Sequence, residues 1–399
     1  MKFAHLADCH IGSWRDPLLT DLSTIAFGKS IDYCIKENID FLLIAGDLFN
    51  TSLPSIDKLK EIVKKLKELK DHEIQVYMIA GSHDFSPSGK TMLDVLENAG
   101  LCINVAKGEI VEDKLKLKFT IDKKTGTKIT GLLGKRGGLE RNYYEHLIRN
   151  ELESEPGYKI FMFHTLLTEL KPKSLEKVDS QPISLLPKNF DYYAGGHPHF
   201  VFSEKIENYG TISYPGPLFP NNFKELEELN HGGFYLIEDN QAKWIPIKLY
   251  GVETIKINAD HKTIEQAELD LKSEIETLDV KNKIITIRIR GILESGKPSD
   301  LNFREIFDLL KEKGAYTILK NSSALTSKEF EEVKIEVSNT DELETNLIKE
   351  QISQEDLEGT DTIDLTKKLI NLLDSSKHEG ERVFDFEKRI KEEIDNLIQ

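Results

Sequence analysis

Five short clusters of acidic and imidazole side chains punctuate this sequence, and each one follows an apolar run. "FAHLADCH" ends in Asp8 and His10, "FLLIAGD" in Asp47, and "YMIAGSHD" in Ser82, His83 and Asp84. "KIFMFH" ends in His164, and "YYAGGHPH" in His197 and His199. A lone histidine on an apolar strand is more often a satisfied core residue than a ligand. Here five of the eleven histidines stand at or just past the ends of such runs, His83 beside Asp84 and His197 beside Gly196. Side chains alternate along a strand, so D-x-H sends Asp8 and His10 to one side and Cys9 to the core. The carboxyl ends of strands are where open α/β sheets gather their ligands. His5 lies inside an apolar run, while His72, His146, His231, His261 and His378 read as surface residues. None of these six receives a role.

Two carboxylates and up to four ligand histidines form a mixed oxygen and nitrogen shell. Such a shell suits Mn²⁺, Fe²⁺ or Zn²⁺ better than Mg²⁺, which prefers oxygen. The donors outnumber the three or four ligands of one site, so two ions with a bridging carboxylate are expected. Two ions about 3.5–4 Å apart suit in-line displacement at phosphorus.

The elements that must position these groups are legible from periodicity. Runs at 2–7, 40–45 and 74–80 are nearly continuously apolar, as strands covered on both faces are. Helix-spaced apolar residues at 18–37 and 56–70 separate them, which makes a βαβαβ start and a mostly parallel sheet. "KLKLKFTIDKKTGTKITGLLG" alternates on both sides of a Lys-Lys-Thr-Gly turn and reads as a hairpin. A helix near 139–152 and β-rich sequence to about 249 follow. "YPGPLFPNN" (214–222) is expected to be an exposed irregular loop. Residues 251–321 read as strand, helix, strand, helix, strand. Residues 322–360 read as an acidic linker. Two amphipathic stripes close the chain: Leu365, Leu369, Leu372 and Leu373, then Val383, Phe386, Ile390, Ile394 and Leu397. They are read as docking on a partner.

The order D-x-H, G-D, G-x-H-D, H and G-H-x-H resembles the phosphoesterase motifs of the calcineurin-like metallophosphatases. "FAHLADCHIG", "FLLIAGDLFN", "YYAGGHPH" followed by "YPGPL", and "GGFYLIED" are similar in wording to one branch of that superfamily. That branch is the nuclease subunit of the double-strand-break repair complex, the SbcD family of bacteria and its archaeal and eukaryotic counterparts. The resemblance implies an α/β fold of two packed mixed sheets flanked by helices over 1–250. A small α/β capping domain that binds DNA (251–321), the acidic linker (322–360) and a helical pair (361–399) complete the plan. It puts Asp8, His10 and His199 on a first metal, Asp47 as the bridge, and His164 and His197 on a second. His83 is then the residue that protonates the leaving oxygen or steadies the transition state, with Asp84 orienting its imidazole. Ser82 stands where the family usually has an asparagine ligand, and Asn50 where some members have a histidine used in exonuclease chemistry.

The implied activity is a nuclease with two Mn²⁺ per subunit, exonucleolytic on duplex ends and endonucleolytic on single strands. A zinc-hook ABC-type ATPase would be gripped by the terminal helices, and the subunit would form a homodimer. A weakly active or inactive end-tethering scaffold, because of Ser82, and a small-nucleotide phosphodiesterase are the competing readings. Lys135, Arg136 and Arg141 in "GKRGGLERN" offer a phosphate-binding edge, with 215–224 as another candidate rim.

Hydrophobic residues at 39% and charged residues at 31% describe a soluble globular protein, with no membrane span or signal peptide expected. Cys9, Cys34 and Cys102 show no CxxC spacing and read as reduced core residues of a cytoplasmic, nucleoid-associated protein. The net charge of −16 is concentrated late: residues 323–399 hold 21 acidic and 10 basic residues, leaving −5 for the rest. The overall charge therefore does not argue against a nucleic-acid partner for the N-terminal surface.

Overall fold

A computed structural model describes residues 1–85, 91–328, 365, 368–369, 372–373, 375 and 383–398. The chain forms two compact units, Met1–Thr326 and Ser327–Gln399. The first begins β1 (Lys2–Leu6), α1 (Leu22–Lys36), β2 (Phe41–Ala45), α2 (Ile56–Asp71), β3 (Gln75–Ile79), α3 (Met92–Asn98) and β4 (Ile103–Asn104). The four strands pair in parallel in that order. Their alternate residues serve different layers. Ala4, Leu6, Leu42, Ile44, Val76 and Met78 pack with Phe27, Ile31, Ile62 and Leu66 of the helices. Phe3, Phe41, Leu43, Ala45, Tyr77 and Ile79 pack with Ile160, Met162 and Tyr192 of a second sheet. Burial on both faces is why these runs lack polar alternation. Ser55 caps α2 by accepting from the Lys58 N–H, and Thr91 with Asp94 forms a capping box on α3.

The expected hairpin across Lys-Lys-Thr-Gly is shorter than its alternation suggested. β5 (Gly108–Val111) and β6 (Lys114–Leu117) pair across Glu112 and Asp113, both left-handed, so a two-residue turn captures the first half. β7 (Thr120–Ile121) and β8 (Lys128–Gly131) form the remainder. The expected helix over 139–152 is also broken, into α4 (Arg141–Glu145) and α5 (Asn150–Ser154). Between them the backbone of Leu115 donates to His146 O and accepts from Ile148 N, which draws that stretch out of helical bonding.

The second sheet runs β11-β12-β10-β9-β8-β7, with β9 (Lys159–His164), β10 (Tyr192–Gly196), β11 (Phe202–Ile206) and β12 (Gly210–Tyr214). After α6 (Phe223–Leu229), β13 (Gly232–Glu238) and β14 (Gln241–Ile247) complete the first sheet beside β1. Tyr214 ends β12, and the irregular segment 215–220 after it is not exposed: every residue of 214–220 is buried, and only Asn222 of the expected loop is exposed. Leu218 and Phe219 insert into the first core, and two indoles hold the backbone, Trp14 Nε1 donating to Pro220 O and Trp244 Nε1 to Pro215 O. Prolines fixed that path without placing it on the surface.

β15 (Gly251–Asn258), α7 (Ile264–Thr277), β16 (Lys283–Leu293), α8 (Phe303–Glu312) and β17 (Thr317–Ser327) make a three-stranded sheet, order β15-β16-β17, with its own core. Residues 322–327, expected in the linker, extend the last strand, and Leu325 is buried in that core. The rest of the expected linker beyond Lys328 lies outside the described residues.

In the second unit Leu365, Leu369, Leu372 and Leu373 fall on helical residues, the first three half-buried and Leu373 67% exposed. A terminal helix spans Val383–Ile398. Its Phe386, Ile390 and Ile394 are half-buried, while the side chains of Val383 and Leu397 lie outside the described residues. Among the described residues no helix is long and apolar enough to cross a membrane, and Cys9, Cys34 and Cys102 are free and buried.

Candidate metal centre

Each cluster read from the sequence sits at the carboxyl end of β1, β2, β3, β9 or β10. The chain does not leave β1 in extended form, so strand alternation is not what aligns Asp8 with His10. Asp8 (φ 50°), His10 (φ 42°) and Asp47 (φ 52°) are left-handed, and His197 has φ 93°. Backbone bonds hold these turns together: Asp8 N donates to Gly46 O at 3.1 Å and His10 N to Asp47 O at 3.0 Å. Such conformations cost non-glycine residues about 1–3 kcal/mol each and persist where surroundings over-determine them. Cys9 turns into the core as expected. Gly46 is required by both conformation and space: φ is +87°, and a Cβ there would lie 2.2 Å from His164 Nδ1.

Three interlocking donor groups result: Asp8, His10 and His199; Asp8, Asp47 and His164; and His10, Asp47 and His83, the ligand atoms of each within 4.8 Å of one another. Asp47 is common to two of them. Its Oδ2 lies 3.1 Å from His164 Nε2 and 3.6 Å from His10 Nε2. His199 Nε2 is 3.2 Å from His10 Nε2 and 3.8 Å from Asp8 Oδ1. His197 joins none of these groups. Its ring is 5.3 Å from that of His164, and its backbone N–H donates to both oxygens of Asp8 at 3.0 and 3.1 Å. Ser82 Oγ donates to Asp47 Oδ2 at 3.3 Å.

Residues around the donors fix the tautomers. His164 Nδ1 donates to Ala45 O at 2.8 Å, and His199 Nδ1 donates to Glu225 Oε1 at 2.8 Å. His10 Nδ1 pairs with Asn50 Oδ1 at 3.3 Å. With Nδ1 occupied as donor, each ring turns its Nε2 to the centre, the atom through which metal-bound histidines held in this way coordinate once it is deprotonated. Glu225 escaped the sequence reading, since an acid in the first turn of a helix after Asn222 looks like ordinary capping chemistry. The resemblance marks Asn50 by the residue it replaces and says nothing of this contact.

Asp84 differs from expectation. It does not orient His83; its carboxylate accepts from the backbone N–H groups of Leu48, Phe49 and Gly81, at 3.2, 3.0 and 3.1 Å. The buried carboxylate is drawn to three inward-pointing donors of two adjoining turns. His83 is held instead by its Nδ1 donating to Asn50 O at 2.8 Å, with its ring 4.7 Å from that of His10.

Burial pushes the Asp8 carboxyl up to about 6. Burial and then the charge of Asp47 raise Asp84, also to about 6. Burial lowers His10 to about 3. Burial alone would raise Asp47, but His164 and His10 outweigh it and hold the carboxyl well below the usual range. For His164, burial opposes the charge and Asp47 overrides it, lifting the imidazole to about 10. The donor set of imidazole nitrogens and carboxylate oxygens fits divalent cations: Nε2 of His10 and Nε2 of His199 lie 3.2 Å apart, a spacing that a shared proton or a cation between them satisfies.

A cleft of about 340 Å³ adjoins the donors, lined by Ser82, His83, His197, Lys135, Gly137, Gly138 and Glu140 among others. Lys135 Nζ donates to Tyr143 OH at 2.7 Å and lies over the rings of Tyr143 and Phe85. Arg141 is exposed and paired with Glu145, so it is not part of this cleft. The Arg136 side chain lies outside the described residues. Of the candidate rim at 215–224, residues 215–220 are buried.

Residues 1–200, half of the chain, match the calcineurin-like phosphoesterase family, and the chain belongs to it. It is thus a metal-dependent phosphodiester hydrolase with a site for divalent cations. Within that class it is similar to the Mre11/SbcD type. The DNA double-strand break repair protein Mre11 of Archaeoglobus fulgidus is 26% identical over 365 residues, covering 88% of this chain and 80% of that one. The protein of the same name from Methanocaldococcus jannaschii is 27% identical over 395 residues, covering 93% and 95%. A dimetal phosphatase from Danio rerio superposes with a TM-score of 0.41 at 11% identity, covering 62% of this chain and 98% of that chain.

Proposed function

We propose that this protein is a Mn²⁺-dependent DNA nuclease acting on duplex ends and single strands in double-strand break repair, alongside a coiled-coil ATPase. The observation that carries it is the convergence of His10, His199, Asp8, Asp47 and His164 beside an open cleft. The break-repair role is supported by the names of relatives that are 24–27% identical over most of the chain. Asp8, His10 and His199 would hold one cation, His164 and His197 the other, and Asp47 both. When bound, two divalent cations neutralise phosphate charge and make water a competent nucleophile at neutral pH.

The protein's own groups supply the rest. Donation from His83 Nδ1 to Asn50 O locks a ring that lines the cleft. That contact leaves its Nε2 edge as the one to face the leaving oxygen. Asp84 keeps the turns after β2 and β3 in register, and so places Asp47 and His83 relative to each other. Lys135 adds positive charge at the cleft wall, and Arg136 and Arg141 are proposed as outer phosphate contacts. Leu53 in the loop before α2, Ile56 on α2 and Val95 on α3, 80%, 83% and 53% exposed, support a homodimer face on this part of the molecule. The apolar stripe Phe386, Ile390 and Ile394, with Leu365, Leu369, Leu372, Leu373 and Val383, is the proposed ATPase grip. The proposed site of action is the cytoplasm, with the DNA.

An end-labelled duplex incubated with Mn²⁺ tests this. Wild-type protein should shorten it, and His83→Ala should retain its metals yet cut about 10²–10⁴-fold more slowly. Undiminished cutting by His83→Ala contradicts the role given to that ring. The bond from Ser82 to Asp47 favours a second reading, a DNA-tethering scaffold with a weakened second ion. Uptake of about one equivalent of Mn²⁺ and an uncut duplex would mark it, since the two-ion mechanism needs both.

A further inference from the structure

Helix α6 joins two parts of the molecule that the cleavage chemistry does not itself connect. On one side its Glu225 takes the Nδ1–H of His199 at 2.8 Å, and also accepts from Asn221 N at 2.8 Å. On the other its Glu227 holds Arg288 of β16, receiving bonds from Nε to both oxygens at 3.0 Å and from Nη2 at 2.7 Å. The Arg288 guanidinium also lies 5.1 Å from the centre of the Phe223 ring. Residues two apart on an α-helix point about 200° apart, so Glu225 and Glu227 face opposite ways. Leu226, between them, is fully buried in the first core. The Glu227 side chain is only 7% exposed, and a planar guanidinium forked onto a sheltered carboxylate is among the more directional polar contacts available.

We infer that Arg288 is a positioning residue for the metal centre: through Glu227 and α6 it sets Glu225, and with it the ring of His199. The seating of the three-stranded module on α6 then governs one cation position and leaves the other untouched, because His164 is oriented by Ala45 O in the strand system. Groups that hydrogen-bond to a ligand histidine, as Glu225 does to His199, ordinarily change metal affinity by about 10–100-fold, and a contact further out should act at the lower end. This inference rests on the metal reading of the site.

The test is Mn²⁺ binding to the full-length protein, by calorimetry and by electron paramagnetic resonance of free Mn²⁺, alongside thermal melting. Arg288→Ala should weaken one of two Mn²⁺ sites about tenfold and leave the other unchanged. Arg288→Lys, which keeps the charge but loses the fork, should fall between. The double exchange of Arg288→Glu with Glu227→Arg should recover affinity. Lys272→Ala breaks the Lys272–Glu305 pair elsewhere in the same module and should leave both sites as they are. Two unchanged sites in Arg288→Ala overturn the inference, and so does equal weakening of both in step with a lower melting temperature. If Arg288→Ala does not fold, Arg288→Lys and Glu227→Gln decide by the same criteria. A wild-type protein that takes up no Mn²⁺ refutes the metal reading itself, whereas normal wild-type uptake with an indifferent Arg288→Ala refutes only this coupling.

Discussion

Asp84 shows what a single carboxylate does when three backbone donors from two turns point at it. Asp84→Asn keeps the shape but replaces one acceptor oxygen by an NH₂ group facing a backbone N–H. We expect a loss of about 2–3 kcal/mol in stability, measured by urea unfolding, as for a buried charge-assisted contact turned into a clash of donors. A change within about 0.5 kcal/mol would contradict the stapling role. The sequence made the donors themselves legible, because Asp8, His10, Asp47, His83, His164 and His199 each follow an apolar run. It could not show who holds them. Glu225 meets His199 across 26 residues and Asn50 meets His10 across 40, and neither partner has a spacing that marks it. The resemblance implies that Asp84 orients His83, but its carboxylate reaches residues 35 and 36 positions away instead.

At the level of elements, continuous apolar runs identified β1, β2, β3, β9 and β10, since burial on both faces leaves no room for polar alternation. What failed was local sequence overruled by distant contacts. The stretch at 139–152 has helical spacing yet gives residues 146–148 to the edge of β6, and the proline-rich segment at 214–220 is pulled inward by Leu218, Phe219 and two indoles. The left-handed turns at Asp8 and Asp47 were equally hidden, because nothing in D-x-H announces them. Gly46 is the element-scale test. Gly46→Ala brings a Cβ to 2.2 Å from His164 Nδ1 at a φ of +87°. The strained backbone alone costs roughly 1–2 kcal/mol, and relief must displace His164. Divalent-metal uptake should therefore fall at least about tenfold in a protein that still folds, measured by equilibrium dialysis. Wild-type uptake would show that the close approach of β2 to β9 is not needed.

At the scale of the whole molecule, metal binding must compete with protons held by the fold. His164, raised to about 10, carries a proton at neutral pH, and Asp8, raised to about 6, takes one up in mild acid. A raised carboxyl favours the metal-free fold below its unfolded value near 4, and that contribution is lost as pH climbs through about 6. Above pH 6 the buried Asp8 charge burdens the metal-free protein, and a cation removes the burden. The rise in melting temperature on adding Mn²⁺ should accordingly be larger at pH 7.5 than at pH 5, with proton release per ion increasing as pH falls. Equal shifts at both pH values would mean that Asp8 does not face the cation. Charge distribution belongs to this scale as well: the acidic excess sits after residue 322, so the cleft beside Lys135 is not set by the net charge of −16.

The most direct measurement is anomalous diffraction from crystals soaked in Mn²⁺. The account predicts two peaks about 3.5–4 Å apart on either side of Asp47, one touching Asp8, His10 and His199 and the other His164. A single peak away from Asp47, or none in a lattice that leaves the cleft open, would contradict it.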